Sequence, residues 1–146
     1  MNKADNMTVS YRTEFESCYV QSNELHAHRY RIELTVDGPQ RYEDTGRVID
    51  FSDLSRYLKA AVPDKKYLHH VSGGLNNDSR CESNIASAMK AYGIGVWLFD
   101  EPISVELLCT SIRDRVQCIL DAEQPGVRVI EVKLRETTES FATWSL

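Results

Sequence analysis

The sequence has no apolar run long enough to span a bilayer, and its polar start, Met1-Asn2-Lys3-Ala4-Asp5-Asn6, carries no signal-peptide pattern. Basic residues are in the minority: 17 Lys and Arg stand against 22 Asp and Glu, a net charge of −5, so broad binding to a phosphate backbone is not expected. The four cysteines, Cys18, Cys81, Cys109 and Cys118, show no Cys-x-x-Cys spacing. Without a secretion signal they read as free thiols rather than a disulfide framework. Internal repeats, low-complexity tracts and linkers are also missing. The expectation is a cytoplasmic protein that engages neither nucleic acid nor membrane. A chain of 146 residues, 42% hydrophobic and 27% charged, fits one domain over 1–146 with a real hydrophobic core.

What is present begins with Leu25-His26-Ala27-His28-Arg29-Tyr30, running on into Arg31-Ile32-Glu33-Leu34-Thr35-Val36. Strict alternation predicts a strand with His26, His28, Tyr30, Ile32, Leu34 and Val36 on one face. Two imidazoles on the buried side of a sheet can begin a metal site, because neutral imidazole suits zinc, or can be ordinary hydrogen-bonded histidines. The preceding run from Thr8 to Val20 also alternates, with Val9, Tyr11, Phe15 and Tyr19 on one face and Ser10, Arg12, Glu14 and Glu16 on the other. Only Gln21-Ser22-Asn23-Glu24 separates the two runs, so they are expected to pair as an antiparallel hairpin.

Asp50 reads as the N-cap of a helix whose stripe is Phe51, Leu54, Leu58, Ala61 and Val62, stopped by Pro63. Tyr67 to Asn77 reads as a loop holding His69, His70 and the isolated Gly73-Gly74 turn. Ser79 with Glu82 forms a capping box ahead of a helix with Ile85, Ala88, Met89 and Tyr92. Val96-Trp97-Leu98-Phe99 can form a short buried strand. A further helix, capped by Ser104 after Pro102, turns Leu108, Ile112, Val116 and Ile119 inward. Strands over Val127–Glu136 and Phe141–Leu146 finish an α+β domain.

Glu136 follows Ile130, Val132 and Leu134 on one strand face, at the end of a buried surface. A buried carboxylate needs cationic or N–H donors. The amidine-like edge of a pterin or guanine ring would supply two in a fork; the other reading is a strand-end carboxylate that simply reaches solvent.

The segments Phe15-Glu16-Ser17-Cys18-Tyr19, His26-Ala27-His28, Gly46-Arg47-Val48-Ile49-Asp50-Phe51, Leu68-His69-His70, Pro102-Ile103-Ser104-Val105-Glu106 and Arg135-Glu136-Thr137 come in a telling order. Together the set resembles the 6-pyruvoyltetrahydropterin and 6-carboxytetrahydropterin synthase family, as a divergent member. That family shows Phe-x-Ala-Ala-His, a Cys three residues before His-Gly-His, Gly-x-x-Ile-Asp-Phe, Leu-Asp-His, Pro-Thr-x-Glu and Glu-Thr. The resemblance implies the tunnelling fold, an antiparallel four-stranded sheet with helices on one face. It also implies an oligomeric barrel (a homotrimer or homohexamer).

By the same resemblance His26 and His28 are zinc ligands, with Tyr19 at the third ligand position. Glu136 anchors a pterin ring, with Glu106 and Ser104 near the same pocket. His70, or His69, stands at the catalytic histidine, and Ser22 at the catalytic cysteine. The family's zinc polarises the substrate side chain while a Cys and an Asp–His pair move protons. The implied activity is a lyase acting on dihydroneopterin triphosphate or a related pterin, on the route to tetrahydropterins or to deazaguanines such as queuosine, or an enzyme with altered chemistry on the same scaffold. The alternative is an inactive paralogue that binds a pterin- or guanine-like ligand. Three departures bear on this choice. Tyr19 replaces a zinc histidine, and Ser22 puts a weak acid where a thiol belongs. His69 replaces the carboxylate that would orient its partner. Cys18 is an alternative third ligand only if a bulge turns it to the histidine face, and one histidine of His69-His70 is the other alternative.

Overall fold

The computed structural model describes residues 6–41, 45–71 and 77–146, with the side chains of 77–83 outside the description. Its two longest strands are β1 (Asn6–Gln21) and β2 (Glu24–Pro39), an antiparallel hairpin whose register is unbroken from Asn6↔Pro39 to Gln21↔Glu24. The hairpin turns on Ser22 and Asn23 alone. Both have positive φ (52° and 61°), as the right-handed twist of the flanking strands demands of a two-residue loop.

The alternation read from the sequence holds along both strands. Phe15, Tyr30, Ile32, Leu34 and Val36 are buried. Arg12, Glu14, Glu16, Arg29 and Arg31 are exposed on the opposite face. That face is laced by cross-strand ion pairs, among them Arg12 Nε to Glu33 Oε2 at 2.8 Å and Arg29 Nη2 to Glu16 Oε1 at 2.8 Å.

The helix expected after Asp50 is α1 (Phe51–Ala61), and Asp50 Oδ1 accepts from Ser52 N at 2.8 Å. Leu54, Leu58, Ala61 and Val62 are buried as the stripe required, but Phe51, in the first turn, is 58% exposed. The segment read as a loop contains β3 (Lys66–His70), which pairs parallel to β1 with Tyr19 opposite Leu68. Helix α2 (Asn77–Ala91) starts ahead of Ser79, and the side chains of the expected Ser79–Glu82 box lie outside the described residues, as do Gly73 and Gly74. Strand β4 (Val96–Phe99) pairs parallel to β3.

Helix α3 (Val105–Glu123) is capped by Ser104, whose Oγ accepts from Leu107 N at 3.0 Å. It buries Leu108, Ile112, Val116 and Leu120. Strands β5 (Arg128–Arg135) and β6 (Phe141–Ser145) close the sheet antiparallel.

The sheet therefore has six strands, in the order β4-β3-β1-β2-β5-β6. The expected antiparallel four-stranded sheet is its β1, β2, β5 and β6; β3 and β4 extend it with parallel pairs. α1 packs on α3 and β1, α3 packs on β5 and β6, and one hydrophobic core unites their stripes with the inner face of the sheet. Among the described residues no helix is long and apolar enough to cross a membrane.

Candidate functional site

Constant register along the hairpin sets three cross-strand pairs side by side on the inner face: Phe15↔Tyr30, Ser17↔His28 and Tyr19↔His26. Their rings meet accordingly. Phe15 stacks on Tyr30 with centroids 4.9 Å apart, and Tyr19 stacks on His26 at 4.9 Å with an interplanar angle of 7°. His26 and His28, two residues apart on one strand, have centroids 6.3 Å apart.

β2 pairs with β5 so that Arg31 faces Arg135. Glu136, one residue beyond, thereby reaches the same row. Its Oε1 lies 2.8 Å from His28 Nε2, both side chains being about four-fifths covered. The direction of approach is wrong for a hydrogen bond, and Nε2 is buried without an aligned partner. The carboxylate expected to anchor a ring thus sits against a histidine expected to hold zinc.

The field of Glu136 is felt by its neighbours. Burial first, and the Glu136 charge second, push the Tyr19 hydroxyl up from its ordinary value. Tyr30 is pushed up further by the same two causes in the same order, which keeps its phenol neutral. The Tyr30 and Ser17 hydroxyls are buried without aligned hydrogen bonds.

One residue that sequence reasoning missed joins the cluster. Glu24 Oε2 lies 3.9 Å from His26 Nε2. The signal was available, because Glu24 precedes His26 by two and so shares its face. The two histidines are bracketed by carboxylates, Glu24 at the turn and Glu136 from β5.

The other expected site residues are placed as follows. Parallel pairing of β1 and β3 aligns Leu68 with Tyr19, so His70 continues on that face while His69 points to the other, where it is buried and stacked on Tyr67. Ser22 is exposed at the hairpin tip with its backbone in the left-handed region. Ser104 is engaged as the α3 cap, and Glu106 is exposed in the first turn of that helix. No hydrogen bond, ion pair or ring contact among the described residues joins either to His28 or Glu136. Cys18 pairs with Ala27 in the unbroken register, on the face away from the histidines, and burial raises its thiol pKa. The one irregularity of this part of the sheet lies elsewhere, between Thr35 and Val36.

The donors do not make the three-imidazole set of the family's zinc. A phenol stands at the third position, and zinc in proteins takes thiolate, imidazole or carboxylate donors. The tip nitrogen of His28 lies 2.8 Å from a Glu136 carboxylate oxygen, without an aligned hydrogen bond. Among the described residues no three His, Cys, Asp or Glu side chains are grouped so as to hold one ion.

Comparison with known proteins agrees with the architecture. Residues 6–145 match the protein-family model described as 6-pyruvoyl tetrahydropterin synthase. The structure is similar to a catalytic-residue mutant of Plasmodium vivax 6-pyruvoyltetrahydropterin synthase, with TM-score 0.69 at 16% identity, covering 96% of this chain and 97% of that one. It is also similar to 6-pyruvoyl tetrahydropterin synthase of Caenorhabditis elegans, with TM-score 0.67 at 13% identity, covering 100% and 99%. An uncharacterized protein of Wolinella succinogenes gives TM-score 0.69 at 13% identity, covering 97% and 99%. A sequence search of curated proteins gives no match.

Proposed function

Since the chain belongs to the 6-pyruvoyl tetrahydropterin synthase family, we propose that it is a lyase-type protein that takes dihydroneopterin triphosphate or a related pterin at the Tyr19–His26–His28–Glu136 row. The observation that carries this reading is the convergence of Glu136 with the hairpin row, 2.8 Å from His28. A carboxylate about four-fifths covered, at the end of an aromatic-lined row, matches a planar ring with two N–H donors on one edge. Tyr19 and His26, stacked on each other, would border the side-chain end of such a ligand.

Proton transfer at the ligand side chain falls to a carboxylate. Ser22 is too weak an acid, whereas Glu24, exposed at the same end of the hairpin, shares the strand face of His26 and lies 3.9 Å from its Nε2. In the Plasmodium vivax relative the substituted catalytic residue is itself a glutamate. Zinc enters no step of this reading. Within the family expectation the protein works as a homotrimer or homohexamer in the cytoplasm.

Pterin binding without turnover is the second reading, favoured by the replacements at Tyr19, Ser22 and His69 taken together. Incubation of the purified protein with dihydroneopterin triphosphate separates the two. Release of acetaldehyde or triphosphate supports the lyase, and saturable binding without product supports the binding protein. Neither binding nor turnover, with this compound or with guanine-type rings, overturns both. Glu136→Gln is expected to weaken binding at least about tenfold, the scale of a lost charge-assisted hydrogen bond.

A further inference from the structure

The polar row on the inner face of the hairpin is built from the parts of a metal site, yet each part is turned to another use. Tyr19 lies flat on His26, 7° from parallel, so its hydroxyl and the His26 ring are held by a stack that both residues complete from directly opposed register positions. A phenol is not among the usual zinc donors, which are thiolate, imidazole and carboxylate. The tip nitrogen of His28 is covered by Glu136 Oε1, which lies 2.8 Å away without hydrogen-bond alignment. A carboxylate that supports a metal-bound histidine sits on the ring nitrogen the metal does not use, where it orients the ligand. Here it takes the nitrogen that reaches furthest from the strand. His26 in turn has Glu24 near its own Nε2, at 3.9 Å.

We propose that this row is a metal-independent site, in which Tyr19 has replaced the third imidazole by a stacking partner and His28 serves as the internal partner of Glu136. The site closes on itself. The space between Glu136 and the histidines, which a bicyclic ring would need, is taken up by the contact at 2.8 Å. A ligand therefore enters by separating Glu136 from His28, and no ion has to be in place beforehand. The inference concerns the donors alone and stands whether the ligand is a pterin or another ring.

Zinc content and uptake test it without reference to activity. Full-length protein, stripped with chelator and titrated with zinc chloride, is expected to hold far less than one equivalent per chain after gel filtration. One equivalent per chain that is lost in His28→Ala would overturn the proposal. Tyr19→His, checked for folding by circular dichroism, is expected to take up one equivalent, because the substitution completes three imidazoles on one face. A folded Tyr19→His that takes up none would overturn the assignment to Tyr19. Should that variant not fold, the wild-type titration still decides. Adding Glu136→Gln to Tyr19→His is expected to tighten zinc binding, since it releases the tip nitrogen of His28. Unchanged or weaker binding would show Glu136 to be no competitor.

Discussion

Single residues in the row carry opposite energetic signs. Tyr30 is fully buried, and its hydroxyl lies near that of Ser17 without an aligned hydrogen bond. A buried hydroxyl without a hydrogen bond costs roughly 1–3 kcal/mol, so Tyr30→Phe is expected to leave stability unchanged or raise it in urea unfolding. A loss above about 1 kcal/mol would mean that the hydroxyl is satisfied after all. Ser104 is the opposite case. Its Oγ caps α3 through Leu107 N, so Ser104→Ala is expected to lower stability by about 1 kcal/mol. If Ser104 has no further part in the site, ligand affinity will stay as it was. Loss of affinity without loss of stability would return Ser104 to the binding pocket. The same residue was legible in the sequence both as a cap and as a family site position, and the structure describes the first.

Elements differ in how far a local pattern could specify them. The hairpin was legible because one face of each strand is buried and the other solvated, so a period of two survives in the sequence. β3 was not: Tyr67, Leu68 and His69 are all buried, and a strand covered on both faces has no alternation to read. Its existence depends on β1, which lies far away in sequence, and with it went the distinction between His69 and His70 that only the parallel register supplies. The missing helix-face residue Phe51 has a similar cause, since its position in the first turn of α1 leaves it beyond the edge of the core. The turn between β1 and β2 holds two non-glycine residues at positive φ. Replacing Ser22-Asn23 by Asn-Gly suits a two-residue hairpin turn and is expected to raise stability by about 1 kcal/mol, read as a higher urea midpoint at constant m. The start of α1 also responds to acid. Ser52 donates its backbone N–H and hydroxyl to Asp50, which lowers that carboxyl's pKa, and Arg47 adds to the effect. A carboxylate lowered on folding stabilises above its unfolded pKa and ceases to do so as pH falls through the folded one. Asp50→Asn should accordingly flatten the acid limb of the stability–pH curve, and an unchanged limb would remove Asp50 from it.

At the scale of the molecule, the helices α1 and α3 leave the outer face of the sheet to charged residues, and the order β4-β3-β1-β2-β5-β6 leaves β4 and β6 at its two edges. An edge strand presents unpaired N–H and C=O groups that invite another strand. Both edges carry large apolar side chains in the open, with Leu98 of β4 57% exposed and Phe141 of β6 52% exposed. On the outer face Arg31 and Arg135 are directly opposed across β2 and β5, each with its own partner: Glu14 Oε1 lies 3.1 Å from Arg31 Nε, and Arg135 Nη1 donates to Thr138 O at 3.0 Å. The cost of the open edges is relieved if the edges of one copy meet those of the next, as in the barrel the family resemblance implies. Light scattering is expected to give a mass that is a threefold or sixfold multiple of the 16.7 kDa chain. Leu98→Lys combined with Phe141→Lys should shift that mass toward the monomer while circular dichroism stays constant. A wild-type protein that remains monomeric at micromolar concentration would show instead that short edges alone suffice to keep the sheet apart from its copies, and that the row from Tyr19 to Glu136 must serve its ligand within one chain.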